Sequence, residues 1–453
     1  MPIQKLAKYD DVMGYIRRFT DYERMVKVAP LPPYGITRMA GLLTSLGNPE
    51  RKLRAIHIAG TKGKGSTAAM VASILRSARL KAGLYTSPHL VDVRERIMVN
   101  GEWITEEEVV DFANQMAPYL NQALVNGETY APTFFEIFTA MTYLHFVKQE
   151  VDYAVLEPGL GGRLDATNVC LPVVCGITAI GYDHTDKLGD TLDCIAWEKA
   201  GIIKKGVPVV TSPQDQLAMN SIFAAAEGRG CRLITVGKDI IVSNPMSGRD
   251  GNRFSIETWQ SKYEDLYVPL LGEHQATNAA TAVGLIEVLR EQGAAITEKH
   301  VRDGLATLSW HGRIDIVSEK PWVIIDSAHT IASAKALCKV LSDAIPCQRR
   351  VFLVGIAKDK DVDGVLKTLA PVADEMIFTK TNSPRSSEPA DLSDKMREIA
   401  AIPTTIEPDI AKAIDRALSK AGEQDLVCVT GSFYLAGDVK LRLESKQKQK
   451  KAL

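Results

Sequence analysis

The feature that most limits what this chain can fold into is a glycine-rich turn set between a strand and a helix. Leu53-Arg-Ala-Ile-His-Ile-Ala-Gly60 is strand-like, Thr61-Lys-Gly-Lys-Gly-Ser-Thr67 follows, and AAMVASILRSA is strongly helical. Such a junction makes an anion site, because glycines let backbone N–H groups approach phosphate oxygens and the helix dipole favours negative charge. Lys64 would reach the β- and γ-phosphates. The strict G-x-x-x-x-G-K-[ST] spacing is not met: Ile58 stands where the first Gly should be, Gly65 directly follows the lysine, and the hydroxyls of Ser66 and Thr67 come late. A structural turn with a solvated lysine is the bland alternative. It leaves three glycines and a lysine at one strand–helix junction without a purpose.

Short apolar runs recur between helical patterns at 53–60, 82–87, 151–157, 173–180 and 207–212, the rhythm of a mostly parallel sheet. Residues 231–270 break it with CRLITV, DIIVSN, RFSIETW and DLYVPLL, which read as a small antiparallel layer. A helix is expected from near His274. The βα rhythm restarts at Trp322–Ala328 and continues at 349–356, 375–380 and 425–432, as in a smaller Rossmann-like unit. The expected fold class is therefore α/β in two units, a central one over residues 1–308 and a C-terminal one over 309–453. A length of 453 residues suits that division.

The 54 Lys and Arg against 55 Asp and Glu give a net charge of −1, so no global field recruits nucleic acid or an anionic membrane, and an anionic substrate must meet local positive charge. The seven cysteines are scattered and never spaced C-x-x-C, no apolar run approaches the roughly 18 residues of a membrane span, and the N-terminus has no signal-peptide core. The expectation is a soluble cytoplasmic protein. The basic tail KLRLESKQKQKKAL reads as a solvated helix end rather than a nucleic-acid arm.

Val151-Asp-Tyr-Ala-Val-Leu-Glu157 is an apolar strand ending in a carboxylate, followed by Pro158-Gly-Leu-Gly-Gly162. Ligands in open α/β sheets gather at strand carboxyl ends, so Glu157 is a candidate Mg²⁺ ligand, with helix capping or solvation as the alternatives. Tyr182-Asp-His184 belongs on the same rim. His184 would be an unusual ligand for a hard, oxygen-seeking ion, and a hydrogen-bonding loop histidine is the competing reading. Lys199 lies in a helix whose Ile195, Ala196, Ala200 and Ile203 define an apolar face, but the spacing leaves its own orientation open.

Taken together, AGTKGKGST (59–67), YTSPHLVDVRERI (85–97), TFFE (133–136), EPGLGGRLDATN (157–168), DHTDKLGDTLDCIAWEKAGIIK (183–204), GEHQATNAA (272–280), HGR (311–313), DSAHT (326–330) and VTGSFYLAGDV (429–439) resemble folylpolyglutamate synthase and dihydrofolate synthase, of the Mur ligase superfamily, over nearly the whole chain. The resemblance implies a Mur-ligase-like ATPase domain and a C-terminal glutamate-ligase domain. It implies that Gly60, Thr61, Lys62, Gly63, Lys64, Gly65, Ser66 and Thr67 bind the ATP phosphates, and that Asn278, Arg313 and Asp326 contact the nucleotide. His329 would sit near the phosphate and glutamate end. Ser87 and Glu157 would hold one Mg²⁺, His184 and Lys199 a second, with Lys199 carbamylated; the catalytic set is then Lys64, Lys199 and His329.

The implied reaction joins L-glutamate to a folate, or to dihydropteroate, through an acyl phosphate, releasing ADP and phosphate, in a monomeric enzyme with no nucleic-acid or membrane partner. Another Mur-type ligase acting on a cell-wall or amino-acid-polymer substrate, and a nucleotide-gated binding protein, are the rivals. The TSPHLVDVRERI and HTDKLGDTL stretches favour folate. Arg94 and Arg96 in the first stretch could touch substrate or be surface residues. The chain departs from the family pattern at Pro158, where a small or β-branched residue is usual, and at Ser327, where glycine is usual.

Overall fold

The computed structural model describes residues 6–25, 35–127 and 131–452. The first βα rhythm becomes one eight-stranded sheet: β1 (Ala55–Ala59), β2 (Ala82–Tyr85), β3 (Ile97–Val99), β4 (Glu102–Trp103), β5 (Tyr153–Leu156), β6 (Pro172–Ile177), β7 (Val209–Thr211) and β8 (Leu233–Thr235), in the order β4-β3-β2-β5-β1-β6-β7-β8. Strands β1, β2 and β5 to β8 pair in parallel. Their residues are apolar without alternation because helices cover both faces. The helix Lys64–Ser77 packs with His274–Glu291 on one side, while Gly35–Ser45, Glu106–Val125 and Phe134–Lys148 cover the other.

Two strands on the edge escaped the sequence reading. β3 and β4 form an antiparallel hairpin, turned at Asn100 and Gly101 with φ of 52° and 91°. Asn-Gly flanked by apolar residues was the available signal, since this pair accepts the positive φ that a tight hairpin turn demands.

The antiparallel layer is smaller than expected. Only β9 (Ile241–Gly248), β10 (Gly251–Glu257) and β11 (Lys262–Val268) form it, in the order β11-β10-β9. The piece CRLITV instead contributes β8 to the large sheet, because it returns through the helix Gln216–Glu227 and so lies parallel to β7.

The C-terminal sheet contains β12 (Asp315–Glu319), β13 (Trp322–Ile325), β14 (Arg350–Val354), β15 (Glu375–Phe378), β16 (Thr404–Ile406) and β17 (Leu426–Thr430), ordered β12-β13-β17-β14-β15-β16. All pairs are parallel except β12 with β13. A separate apolar core lies on each face. The loops at the carboxyl ends of the two parallel sheets meet, as the ion pair between Asp183, beyond β6, and Lys360, beyond β14, demonstrates at 2.9 Å. Among the described residues, no helix is long and apolar enough to cross a membrane.

Candidate active site

Strand β1 delivers the glycine-rich turn to the middle of the large sheet, and each glycine there answers a local demand. Gly63 has φ 88° at the N-cap of the helix Lys64–Ser77, and an added Cβ would lie 2.2 Å from Asn278 Oδ1. Gly60 would meet Thr178 Oγ1 at 1.8 Å. At Gly65 a Cβ would press on both Glu157 Oε2 and the Trp310 ring at 3.2 Å, which explains why no hydroxyl residue follows Lys64 directly. Thr61 and Lys62 spend their amides on the Ala179 carbonyl, at 3.0 and 3.1 Å, and the first helix amide to bond backward is that of Thr67, to Gly63. The preceding N–H groups at the helix start have no intrahelical acceptor, and this is what makes the turn an anion cradle. Thr67 Oγ1 is buried and has no hydrogen-bond partner among the described residues.

Glu157, beyond β5, is buried beside this cradle. Its Oε1 lies 3.6 Å from Lys64 Nζ, and its Oε2 accepts from Ser87 N–H at 3.4 Å. Burial raises its pKa, opposed first by Lys64 and then by Arg313. The structure thus joins Lys64, Ser87, Glu157 and Arg313, which are widely separated in sequence. Pro158 removes no needed donor, because the turn's captured amides begin one residue later: Gly159 and Leu160 both donate to Asp165 Oδ2, at 2.9 and 3.1 Å. The other carboxylate oxygen of Asp165 accepts from the Thr167 amide and hydroxyl at 2.9 and 2.6 Å. Asp165 therefore anchors the loop that follows Glu157, a role its DATN context did not advertise.

Lys199 points inward, settling what periodicity left open. Its Nζ donates to the Gly60 carbonyl at 2.8 Å, and burial, followed by the charge of Lys64, pushes its pKa down to about 7. His184 lies on the same rim with φ 52°, its Nε2 3.8 Å from Asp183 Oδ1. Burial and then Lys360 lower its pKa to about 3, so the ring is neutral. Among the described residues, no cluster of three His, Cys, Asp or Glu side chains could hold a metal by itself. A magnesium ion here would depend on phosphate oxygens and water for much of its shell, which is how this ion is commonly bound.

The C-terminal unit supplies the opposite wall. Asp326, beyond β13, is buried and accepts from the amides of Ile314 and Ala328 at 3.0 and 2.7 Å. Arg313 donates to Ser327 Oγ at 3.0 Å and lies over the Phe433 ring, 4.7 Å from its centroid. The connecting segment is strained, with φ of 54° at Ile314, a conformation that costs a β-branched residue about 1–3 kcal/mol unless its surroundings impose it. His329 donates through Nδ1 to the Ser327 carbonyl at 2.8 Å, and burial followed by Lys62 depresses its pKa to about 3. Nε2 of this neutral ring is left as an acceptor.

Three participants went unnoticed in the sequence. Asp183 pairs with Lys62 at 3.1 Å and with Lys360 at 2.9 Å; although burial opposes its charge, these lysines hold its carboxyl well below the usual range. Arg385 donates to the Glu23 carbonyl at 2.9 Å and pairs with Asp359. The motif GIAKDKD after a strand offered a weak signal for Lys360. A cavity of about 730 Å³ is lined by residues of both units, including Ser87, His184, His329, Lys360 and Arg385. A second, of about 440 Å³, lies against Gly65, Glu157, Trp310 and Arg313. Arg96 is buried in a pair with Glu23, which lines the larger cavity, and over the Phe134 ring, while Arg94 is held by Asp92 and Glu106.

A glycine-rich helix start on one parallel sheet thus stands opposite an Arg–Asp–His wall on another, the two halves of an α/β protein of the Mur ligase class. Two family models match accordingly, the Mur ligase middle domain over residues 58–286 and the Mur ligase, glutamate ligase domain over residues 312–433. The chain is 38% identical over 413 residues to the dihydrofolate synthase/folylpolyglutamate synthase of Bacillus subtilis, across 90% of this chain and 95% of the relative. It is 32% identical over 437 residues to the folylpolyglutamate synthase of Lacticaseibacillus casei, across 96% and 98%. Among solved structures, the folylpolyglutamate synthase of Thermotoga maritima is similar with a TM-score of 0.82 at 35% identity, covering 97% of each chain. That of Mycobacterium tuberculosis complexed with ADP gives 0.88 at 31% identity, covering 97% and 98%. The chain belongs to the folylpolyglutamate synthase/dihydrofolate synthase family of Mur ligases.

Proposed function

We infer that this chain is an ATP-dependent ligase that adds L-glutamate to a folate, making an amide and releasing ADP and phosphate. The single observation that carries the reading is the meeting, at the carboxyl ends of the two sheets, of the Gly60–Thr67 turn and Glu157 with Arg313 around one cavity, while His329 and Lys360 line a second cavity between the same two units. Joining a carboxylate to an amine in water is uphill. Transfer of a phosphoryl group to the carboxylate makes an acyl phosphate, whose carbonyl the glutamate amine then attacks.

In this reading the cradle amides and Lys64 bind the transferring phosphates, and Asn278, Arg313 and Asp326 hold the nucleotide from either side of the cleft. Preorganised donors of this kind stabilise charge that grows in the transition state. The orphaned Thr67 hydroxyl fits the same anion. His329, a neutral ring whose Nδ1 is taken by the Ser327 carbonyl, is read as lining the phosphate and glutamate end with Nε2 as a hydrogen-bond acceptor. Lys360 and Arg385, the cations that the C-terminal unit contributes to the larger cavity among the described residues, suit the carboxylates of incoming glutamate.

Glu157 with Ser87 would hold one Mg²⁺ and His184 with Lys199 a second, supplying charge neutralisation for the phosphoryl group. As an ammonium, Lys199 would repel a cation; its depressed pKa supports reaction with CO₂ to give an anionic carbamate. The division at 308/309 belongs to the proposal too, supported by the separate sheets before and after the strained segment at 312–314. So does acceptance of dihydropteroate as well as folate, supported by the double name of the Bacillus subtilis relative. The chain is read as a cytoplasmic monomer.

The test is glutamate incorporation with tetrahydrofolate, dihydropteroate and a nucleotide-linked peptide precursor side by side. Product with either pterin substrate is expected, and product with the peptide precursor alone would overturn the reading. Lys64→Ala and Glu157→Ala should each reduce glutamate-dependent ADP release by about 100-fold or more with the fold intact. Normal turnover in either would remove that residue from the site.

A further inference from the structure

Ser327 follows Asp326 at the end of β13 and is fully buried. Its hydroxyl donates to the Gly312 carbonyl at 3.0 Å, and the same oxygen accepts from Arg313 Nη1 at 3.0 Å. A serine hydroxyl has one proton to give and lone pairs to receive with. Here both capacities are used on two successive residues of the segment that joins the two sheets' units, one contact on its backbone and one on its side chain. Asp326 holds the next residue, through the Ile314 amide at 3.0 Å. The segment needs such support, since Gly312 and Ile314 both carry positive φ, of 76° and 54°. The Phe433 ring lies against the guanidinium, so ring and hydroxyl together bracket Arg313 while its charge acts on Glu157.

We propose that Ser327 is a positioning residue for ATP: its hydroxyl holds Arg313, and the backbone that carries Arg313, in the pose that meets the nucleotide. A residue without that hydroxyl leaves the guanidinium with one constraint fewer and the Gly312 carbonyl without this donor. The contact from His329 Nδ1 falls on the main-chain carbonyl of Ser327, at 2.8 Å, so a side-chain change at 327 isolates the hydroxyl from the histidine. The inference rests on Arg313 contacting ATP, and the experiment separates the two claims.

Dissociation constants for a non-hydrolysable ATP analogue, and KM for ATP and for glutamate, are measured for Ser327→Ala, Arg313→Ala and the double variant, with Ser327→Gly as a second hydroxyl-free variant and melting curves to verify folding. Ser327→Ala and Ser327→Gly should weaken the analogue by about 5–10-fold, the size expected for loss of one ordinary hydrogen bond, with KM for glutamate unchanged. In the Arg313→Ala background, removing the hydroxyl should cost nothing more. An equal cost in both backgrounds, or full affinity in folded Ser327→Ala while Arg313→Ala is impaired, overturns the role of Ser327 alone. Full nucleotide affinity in Arg313→Ala overturns the placement of Arg313, and the proposal with it.

Discussion

The two walls of the cleft are built by different means. The glycine-rich turn of the proposed phosphate site is local in sequence: its glycines, its lysines and the helix start that they open fall within eight consecutive residues. The opposite wall is assembled from distant pieces. Arg313 is held by Ser327 and Phe433, Asp326 reaches back to Ile314, and Lys360 crosses to Asp183. The first wall takes its shape from glycines at positive φ and is then pinned from outside by the Ala179 carbonyl and Lys199. The second wall keeps its shape only while its long-range contacts persist.

The contrast can be broken first at Gly63. Alanine there would need φ 88° and would drive its Cβ to 2.2 Å from Asn278 Oδ1, so the variant should lose about 100-fold or more in kcat/KM for ATP. A cradle that tolerates Gly63→Ala without loss, checked by steady-state kinetics, would show that the local wall is not held by backbone geometry. The next largest effect belongs to the assembled wall. Lys360→Met removes the cross-cleft pair with Asp183 and a cation from the larger cavity, and KM for glutamate should rise by about 10-fold or more while analogue binding stays within about twofold. Equal losses for glutamate and nucleotide would blur the two walls into one.

The smallest and most graded effect concerns pH. Lys199 is pushed down to about 7, so below that value its amine holds a proton and cannot react with CO₂, while above it the neutral amine can. At fixed dissolved CO₂, the carbamate level should therefore rise steeply with pH across 6 to 8, because the ammonium must first lose its proton and the neutral amine releases a second as it joins CO₂, read by the carbonyl signal of ¹³CO₂-labelled protein. The same dependence in Lys64→Ala, where a neighbouring positive charge is gone, should shift to higher pH. A carbamate level that does not change across this range would contradict the buried, depressed amine.

Much of the fold could be read from the chain because its signals are local. Leu53–Gly60 and Val151–Glu157 are strands whose apolar residues continue without alternation, and both appear as central parallel strands ending at the site. Where reading failed, the deciding information was not local. CRLITV looks like the antiparallel pieces after it, and only its return through a helix places it beside β7. For Arg96 the loop left substrate contact and surface exposure equally open, and it is Glu23, distant in sequence, that decides by pairing with it in the interior. Asp183 sits one residue from the histidine that drew attention, and its importance depends on a lysine from the other unit.

By itself, then, the sequence determined that a glycine-rich turn would open a helix at Lys64 and that an acid would end a neighbouring strand, since glycine freedom, helix termini and hydrophobic burial act over a few residues. Tertiary structure decided that Lys199 faces inward, that Lys64 and Glu157 stand 3.6 Å apart, and that Ser327 grips Arg313. Those outcomes depend on which side chains two packed units bring within hydrogen-bonding and Coulombic reach. That choice is made by long-range packing, on which local spacing carries little information.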